Sequence, residues 1–179
     1  GGVVTAKDTA EIQLDENGEF VRNPEEDIVK VAVVERHQGT GNVACGFLKG
    51  YGIKAGAVAL SIAHDSHNII VVGVSDEEME FAVNSLIAQE GGMVLVKEGK
   101  VIESMPMPIA GLMSDQSGEW VDEKLTAIHA KAYEELGIAG DVEPVMTLCF
   151  MSLAVIPEVK LTDMGLFDVT TFSFIPVEA

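Results

Sequence analysis

The chain alternates between dense apolar runs and short polar breaks, and the runs set the expected elements. From Asp27 to Arg36 the β-branched residues Ile28, Val29, Val31, Val33 and Val34 follow almost without interruption, as in a strand that is mostly buried. Ala57–Ala63 and Ile69–Val74 have the same character and read as two further central strands. Ser75 followed by Glu78 forms a capping box, with Met79, Val83, Leu86 and Ile87 at helical spacing behind it and Gly91-Gly92 as the stop. Met93–Val96 and Val101–Met105 alternate around Glu98-Gly99, which predicts a hairpin. A second helix is predicted over 116–136, with Val121, Leu125, Ile128, Ala132 and Leu136 on one face and Gly137 ending it. Phe172–Val177 alternates as a final strand. The apolar run from Val145 to Ile156, after Pro144, fits helix or buried strand equally.

The breaks carry information too. Residues 1–26 are polar and turn-rich, with Asp15-Glu16-Asn17-Gly18 a turn signal, and read as a connecting arm, an edge hairpin or the tail of a preceding region. Residues 27–179 then form one domain. Gly46, Gly50, Gly52 and Gly56 lie too close together for an ordinary helix. The segment Pro106–Ser114 is apolar yet full of breakers, and Val155–Val169 resembles it, so each is expected to follow a fixed irregular path lining a pocket or a seam. There is no internal repeat. Strand-rich stretches with two clear helices and short turns predict an α+β fold, a largely antiparallel mixed sheet with helices packed on it.

Composition narrows the function classes. The 179 residues suit one compact domain, and aromatics at 6% leave little ring surface for stacking. A net charge of −18 repels phosphate backbones and anionic membrane surfaces, so neither nucleic acid nor membrane is an expected partner. No apolar run is long enough to span a bilayer. Cys45 and Cys149 sit in apolar surroundings, far apart, and are expected to be small buried hydrophobes in a reducing, cytoplasmic compartment. Met105, Met107 and Met113 read as core filler or adaptable packing, and His129 as a solvent-facing or half-buried helix residue. The chain opens Gly1-Gly2-Val3-Val4 without Met, which suggests a piece of a longer polypeptide.

The chemical centre is His64-Asp65-Ser66-His67-Asn68, set directly between two strongly apolar strands. Burying such groups costs a few kcal/mol each unless they are paired, and a bare turn would use Asn-Gly or Asp-Gly. The cluster is therefore expected to project into a cleft. His64 and Asp65 could serve as a base and its orienting acid, or Ser66 could donate to a ring nitrogen. Adjacent Ser66-His67 lacks the glycine pattern of a nucleophile elbow. Metal binding through His64 and His67 would lack further ligands at recognisable spacing. A hydrogen-bonded structural turn is the competing reading. Glu35-Arg36-His37 forms a second polar cluster at a strand end, either a surface ion pair or part of the same cleft.

Glu35-Arg36-His37, Ala63 through Ile70, Pro106 through Ser114 and Val155 through Val169 together resemble the C-terminal domain of bacterial adenine deaminases, members of the amidohydrolase superfamily, from about Asp27 to the end. The resemblance implies hydrolytic deamination of adenine to hypoxanthine and ammonia in the full-length enzyme. A divalent metal, Mn or Fe, would sit in an N-terminal (β/α)-barrel, and the enzyme is expected as a homo-oligomer. This chain has no His-x-His pair, so it is expected to be inactive alone and to hold no cofactor. Within the full enzyme the resemblance makes His64, Asp65 and Ser66 expected active-site contributors, with His67, Asn68, Glu35, Arg36 and His37 on the substrate or supporting the loop. A non-catalytic dimerisation or scaffold domain and an independent small-molecule binder are the alternatives.

Overall fold

A computed structural model describes residues 3–178. In chain order the elements are β1 (Gln13–Leu14), β2 (Phe20–Val21), β3 (Ile28–Val34), β4 (Val43–Lys49), β5 (Ala57–Leu60), β6 (Ile69–Gly73), α1 (Asp76–Ala88), β7 (Gly92–Lys97), β8 (Lys100–Pro106), α2 (Gly118–Glu134), α3 (Pro144–Cys149), β9 (Val159–Thr162), β10 (Gly165–Asp168) and β11 (Ser173–Ile175). The expected α+β class is the one observed. Six strands form an antiparallel sheet in the order β4-β3-β6-β5-β7-β8, and β9, β10 and β11 form a second, three-stranded sheet.

The central strands are almost wholly apolar, Lys30 and Lys97 apart, because both faces of the large sheet are covered. On one face Val29, Val31, Val33, Val58, Leu60, Ile70, Val72 and Leu95 pack against Ile128, Ala132 and Leu136 from the α2 region and Val145 and Leu148 of α3. On the other, Ala32, Ala57, Ala59, Val71, Val94 and Val96 meet Met79, Ala82 and Leu86 of α1. The Ser75 side chain accepts the Glu78 N–H, and Asp76, Glu77 and Glu78 complement the N-terminal dipole of α1. Helix α2 starts two residues later than the pattern suggests, because the Ser117 side chain caps it by accepting the Trp120 N–H.

The 145–156 run, open between helix and buried strand, forms a short helix followed by turns. Glu143 caps α3 by accepting the Met146 N–H, the helix stops at Cys149, and the rest is turn. The β7–β8 hairpin turns on Glu98 (φ 53) and Gly99 (φ 67), both left-handed as a type I′ turn requires. Among the early residues, β1 and β2 pair around Asp15. Thr5 bridges Glu158 in parallel, and Lys160, 1% exposed, donates to Val3 O and Thr5 Oγ1.

Two expectations about burial need correction. Cys149 is buried, but Cys45 is exposed. It lies on edge strand β4 opposite Ala32, and α1 packs over β5, β6 and β7 instead. Met105 and Met107 join the core, whereas Met113 is 59% exposed, because it closes a bridge with Ile109 on a surface turn.

Candidate active-site edge

Antiparallel pairing gathers four segments at one end of the large sheet. Val34, the last residue of β3, pairs with Ile69, the first of β6. Leu60 ends β5 opposite Ile70 and Met93, and Gly92 opens β7 opposite Pro106 at the end of β8. The loops 35–42 and 61–68, the entry to β7 and the irregular segment 107–114 therefore share one edge. Both polar clusters read from the sequence lie on it.

Glu35 builds the first loop. Its Oε1 accepts the N–H groups of His37 (2.5 Å) and Gln38 (2.7 Å), and Oε2 accepts the N–H (3.0 Å) and hydroxyl (3.1 Å) of Thr40. These donors, the Thr40 N–H foremost, hold its carboxyl down at about 2, so it is ionised and its oxygens face its own loop. Arg36 ties the loops together. Its Nε donates to His67 O (2.5 Å), its Nη2 to Ala110 O (2.9 Å), and its main-chain N–H to Asn68 Oδ1 (3.3 Å). His37 Nε2 lies 2.7 Å from Ser66 O; a carbonyl only accepts, so that nitrogen carries the proton.

In the second loop the His64 N–H donates to Cys149 O (2.9 Å), at the end of α3, and the His67 N–H to Ala63 O (2.6 Å). The His64 ring stands 4.9 Å from Phe150 and 5.4 Å from the His67 ring, centroid to centroid. Ser66 Oγ accepts the Asn68 N–H (3.4 Å), and Asn68 is buried. Asp65 and Ser66 are exposed, His64 and His67 half-buried. His67 adopts φ 53, a left-handed conformation that costs a non-glycine residue about 1–3 kcal/mol and persists where its surroundings fix it. Its Nδ1 is buried without a hydrogen-bond partner among the described residues. Burial first, then the neighbouring His64 and Arg36, hold its pKa below the ordinary imidazole value, so the ring is neutral at neutral pH.

The sequence pattern did not single out Ser61 or Gly111, and gave Gly91 only as a helix stop. The buried Ser61 hydroxyl donates to Gly111 O (2.5 Å) and accepts the Gly92 N–H (2.7 Å). A Cβ on Gly91 would stand 2.6 Å from Gly111 Cα, and one on Gly111 would stand 3.0 Å from Arg36 Nη1. Glycine is needed at both positions because backbone meets backbone and guanidinium there. A lone serine closing an apolar strand was the available signal.

Two surface concavities lie away from the 64–68 loop. One of about 270 Å³ is lined by Asn42, Val43, Asp163 and Met164. The other, about 460 Å³, is lined in part by Arg22, Asp27, Lys54, Tyr133 and Gly140. Neither is lined by residues of the 64–68 loop, although Asn42 places the first beside the end of the 35–42 loop. No group of three or more His, Cys, Asp or Glu side chains able to hold a metal occurs among the described residues. The imidazoles of this edge do not fit a metal centre, and no metal-dependent step is assigned to them. No helix among the described residues is long and apolar enough to cross a membrane.

Fold and edge together define an α+β domain that displays a hydrogen-bonded polar loop cluster at one edge of its large sheet. The profile of the adenine deaminase C-terminal domain matches residues 2–173, and the chain belongs to that family. It is 69% identical over its full length to adenine deaminase 2 of Desulfotalea psychrophila, covering 31% of that protein. It is 51% identical to adenine deaminase of Ligilactobacillus salivarius over 99% of the chain and 31% of the relative, and 49% identical to adenine deaminase 2 of Carboxydothermus hydrogenoformans over 98% and 30%. The chain thus spans about a third of the length of the curated relatives it matches.

Proposed function

We propose that this chain is the C-terminal domain of an adenine deaminase, and that the His64–Asn68 loop forms part of the active-site cleft of the whole enzyme. The reaction would be hydrolytic, adenine and water giving hypoxanthine and ammonia. The metal that activates the water, Mn or Fe, would be bound by an N-terminal amidohydrolase barrel outside this chain. The observation that carries the reading is the convergence of loops 35–42, 61–68 and 107–114 on one edge, where Asp65 and Ser66 stand exposed and His67 Nδ1 is buried without a partner. A purine needs several directional hydrogen bonds to be held in one orientation. An exposed carboxylate, a hydroxyl and a neutral imidazole on a fixed loop can supply them. Asp65 and Ser66 are the groups free to reach the base. His64, packed on Phe150, shapes the loop and stands ready to move a proton. Glu35 and His37 act through the loop, since their polar atoms are engaged within it.

Replacing His64 or Ser66 by Ala in the full-length enzyme should lower kcat/KM for adenine by about 10-fold or more with metal content unchanged. Unaltered kinetics would remove the loop from the cleft.

A second reading, an assembly surface between copies, is favoured by one observation. Phe167 stands edge-on to Phe172 and Phe174 on the small sheet, and Phe172, Phe174 and Met164 are all exposed. Sedimentation of the full-length enzyme with Phe172→Ser separates the two: loss of oligomerisation with chemistry retained assigns this patch, and not the polar edge, to assembly.

A further inference from the structure

We propose that Arg36 is a positioning residue for deamination: its guanidinium sets the geometry of the His64–Asn68 loop by bolting it to the 107–114 segment. The inference rests on the active-site reading of that loop and goes beyond it, since it names what holds the loop in place.

Three features carry it. Loops that connect strands are the more mobile parts of a fold, yet productive catalytic geometry must be held to within about 0.5 Å. The 64–68 loop has few main-chain ties of its own, the His64 N–H to Cys149 O at the end of α3 and the His67 N–H to Ala63 O within the same connection. From outside, His37 Nε2 holds Ser66 O, and Arg36 supplies the ties to His67 and Asn68. It fixes the carbonyl of His67, the residue held in the left-handed conformation, and through its main-chain N–H it fixes the Asn68 side chain. The same guanidinium reaches Ala110 O on the facing segment. A planar fork with its donors in fixed directions can span two carbonyls on different segments, which a lysine ammonium on a flexible stem holds poorly.

The facing segment is itself immobilised. Ser61 binds Gly111 O, the Ile109–Met113 bridge closes the turn, and Gly111 leaves just enough room for the Arg36 Nη1. Arg36 therefore connects a loop that has to be held to an anchor that is already rigid. Its Nε and Nη2 donate to main-chain carbonyls, which marks it as acting through the loop and distinguishes it from a substrate ligand.

The test uses the full-length enzyme with Arg36→Ala and Arg36→Lys, alongside Ser66→Ala. Arg36→Ala should lower kcat/KM for adenine by about 10- to 100-fold, chiefly in kcat, with metal content and Tm close to those of the parent. Free guanidinium should restore part of the loss in Arg36→Ala and none in Ser66→Ala. Arg36→Lys should fall between. Gly111→Ala, whose Cβ would crowd the guanidinium from the other side, should be non-additive with Arg36→Ala, because both disturb one linkage; Ser61→Ala serves in the same cycle where Gly111→Ala does not fold. Parent-like kinetics for Arg36→Ala, with Ser66→Ala impaired, overturn the positioning role and leave the active-site reading standing. Additive losses in the cycle overturn it in favour of a direct substrate contact. Parent-like kinetics for both Arg36→Ala and Ser66→Ala overturn the active-site reading as well.

Discussion

Ser61 donates its hydroxyl to the carbonyl of Gly111 across 2.5 Å, joining the end of a central strand to a surface turn fifty residues later in the chain. The same oxygen accepts the Gly92 N–H, so one buried side chain satisfies a strand opening and a turn together. Removing it leaves a buried donor and a buried acceptor unpaired. Ser61→Ala should destabilise the chain by about 1–3 kcal/mol, measured as a lower urea midpoint at unchanged slope. A midpoint equal to the parent's would show that water replaces the hydroxyl without loss.

Gly56 and Gly99 both have positive φ, +68 and +67, but only one faces a neighbour. A Cβ on Gly56 would stand 2.0 Å from Val96 O and 2.8 Å from Leu136 Cδ2, whereas Gly99 has open space around it. Gly99→Ala should cost about 1 kcal/mol from backbone strain alone. Gly56→Ala should cost about 3 kcal/mol or more, since strand β7 must move away. Thermal unfolding of the two variants reads the difference directly, and equal Tm values would contradict the packing described around β5 and β7.

Lys160 is buried with no carboxylate partner among the described residues, its ammonium held by Val3 O and Thr5 Oγ1. Burial pushes its pKa down to about 8, from an ordinary 10.5. The unfolded chain keeps that proton to higher pH, so between the two values it binds more protons than the folded chain. Stability contributed at this position therefore rises with pH from about 8 toward 10.5. Denaturation midpoints at pH 7 and pH 9 should bring the parent closer to, or further above, Lys160→Met as pH rises. A constant difference between the two proteins would show that Lys160 is not desolvated.

The strands β3, β5 and β6, both long helices and the β7–β8 hairpin were legible in the sequence because hydrophobic period and turn chemistry are local signals. Strands β4, β9 and β10 were not, since the glycines of 43–56 and the breakers of 155–169 mask strands that pairing with their neighbours creates. Glu98-Gly99 supplies the two left-handed residues that its turn demands. The exposure of Cys45 was not legible, because it depends on which strand lies at the sheet's edge and on how far α1 reaches, and both are set by tertiary packing. The 145–156 run was ambiguous for a similar reason: Glu143 starts a helix that tertiary contacts end after six residues. At the candidate site, the residue types of His64–Asn68 and Glu35–His37 gave the location. The roles of Arg36, Ser61 and Gly111 follow from hydrogen bonds between segments far apart in the chain, which no spacing rule records.

Amide hydrogen exchange in the full-length enzyme, with and without saturating hypoxanthine, probes the central claim most directly. If the polar edge closes over the base, exchange at residues 64–68 should slow on ligand binding, while exchange in β9–β11 stays the same. Unchanged exchange at 64–68, with the ligand demonstrably bound, would contradict the account.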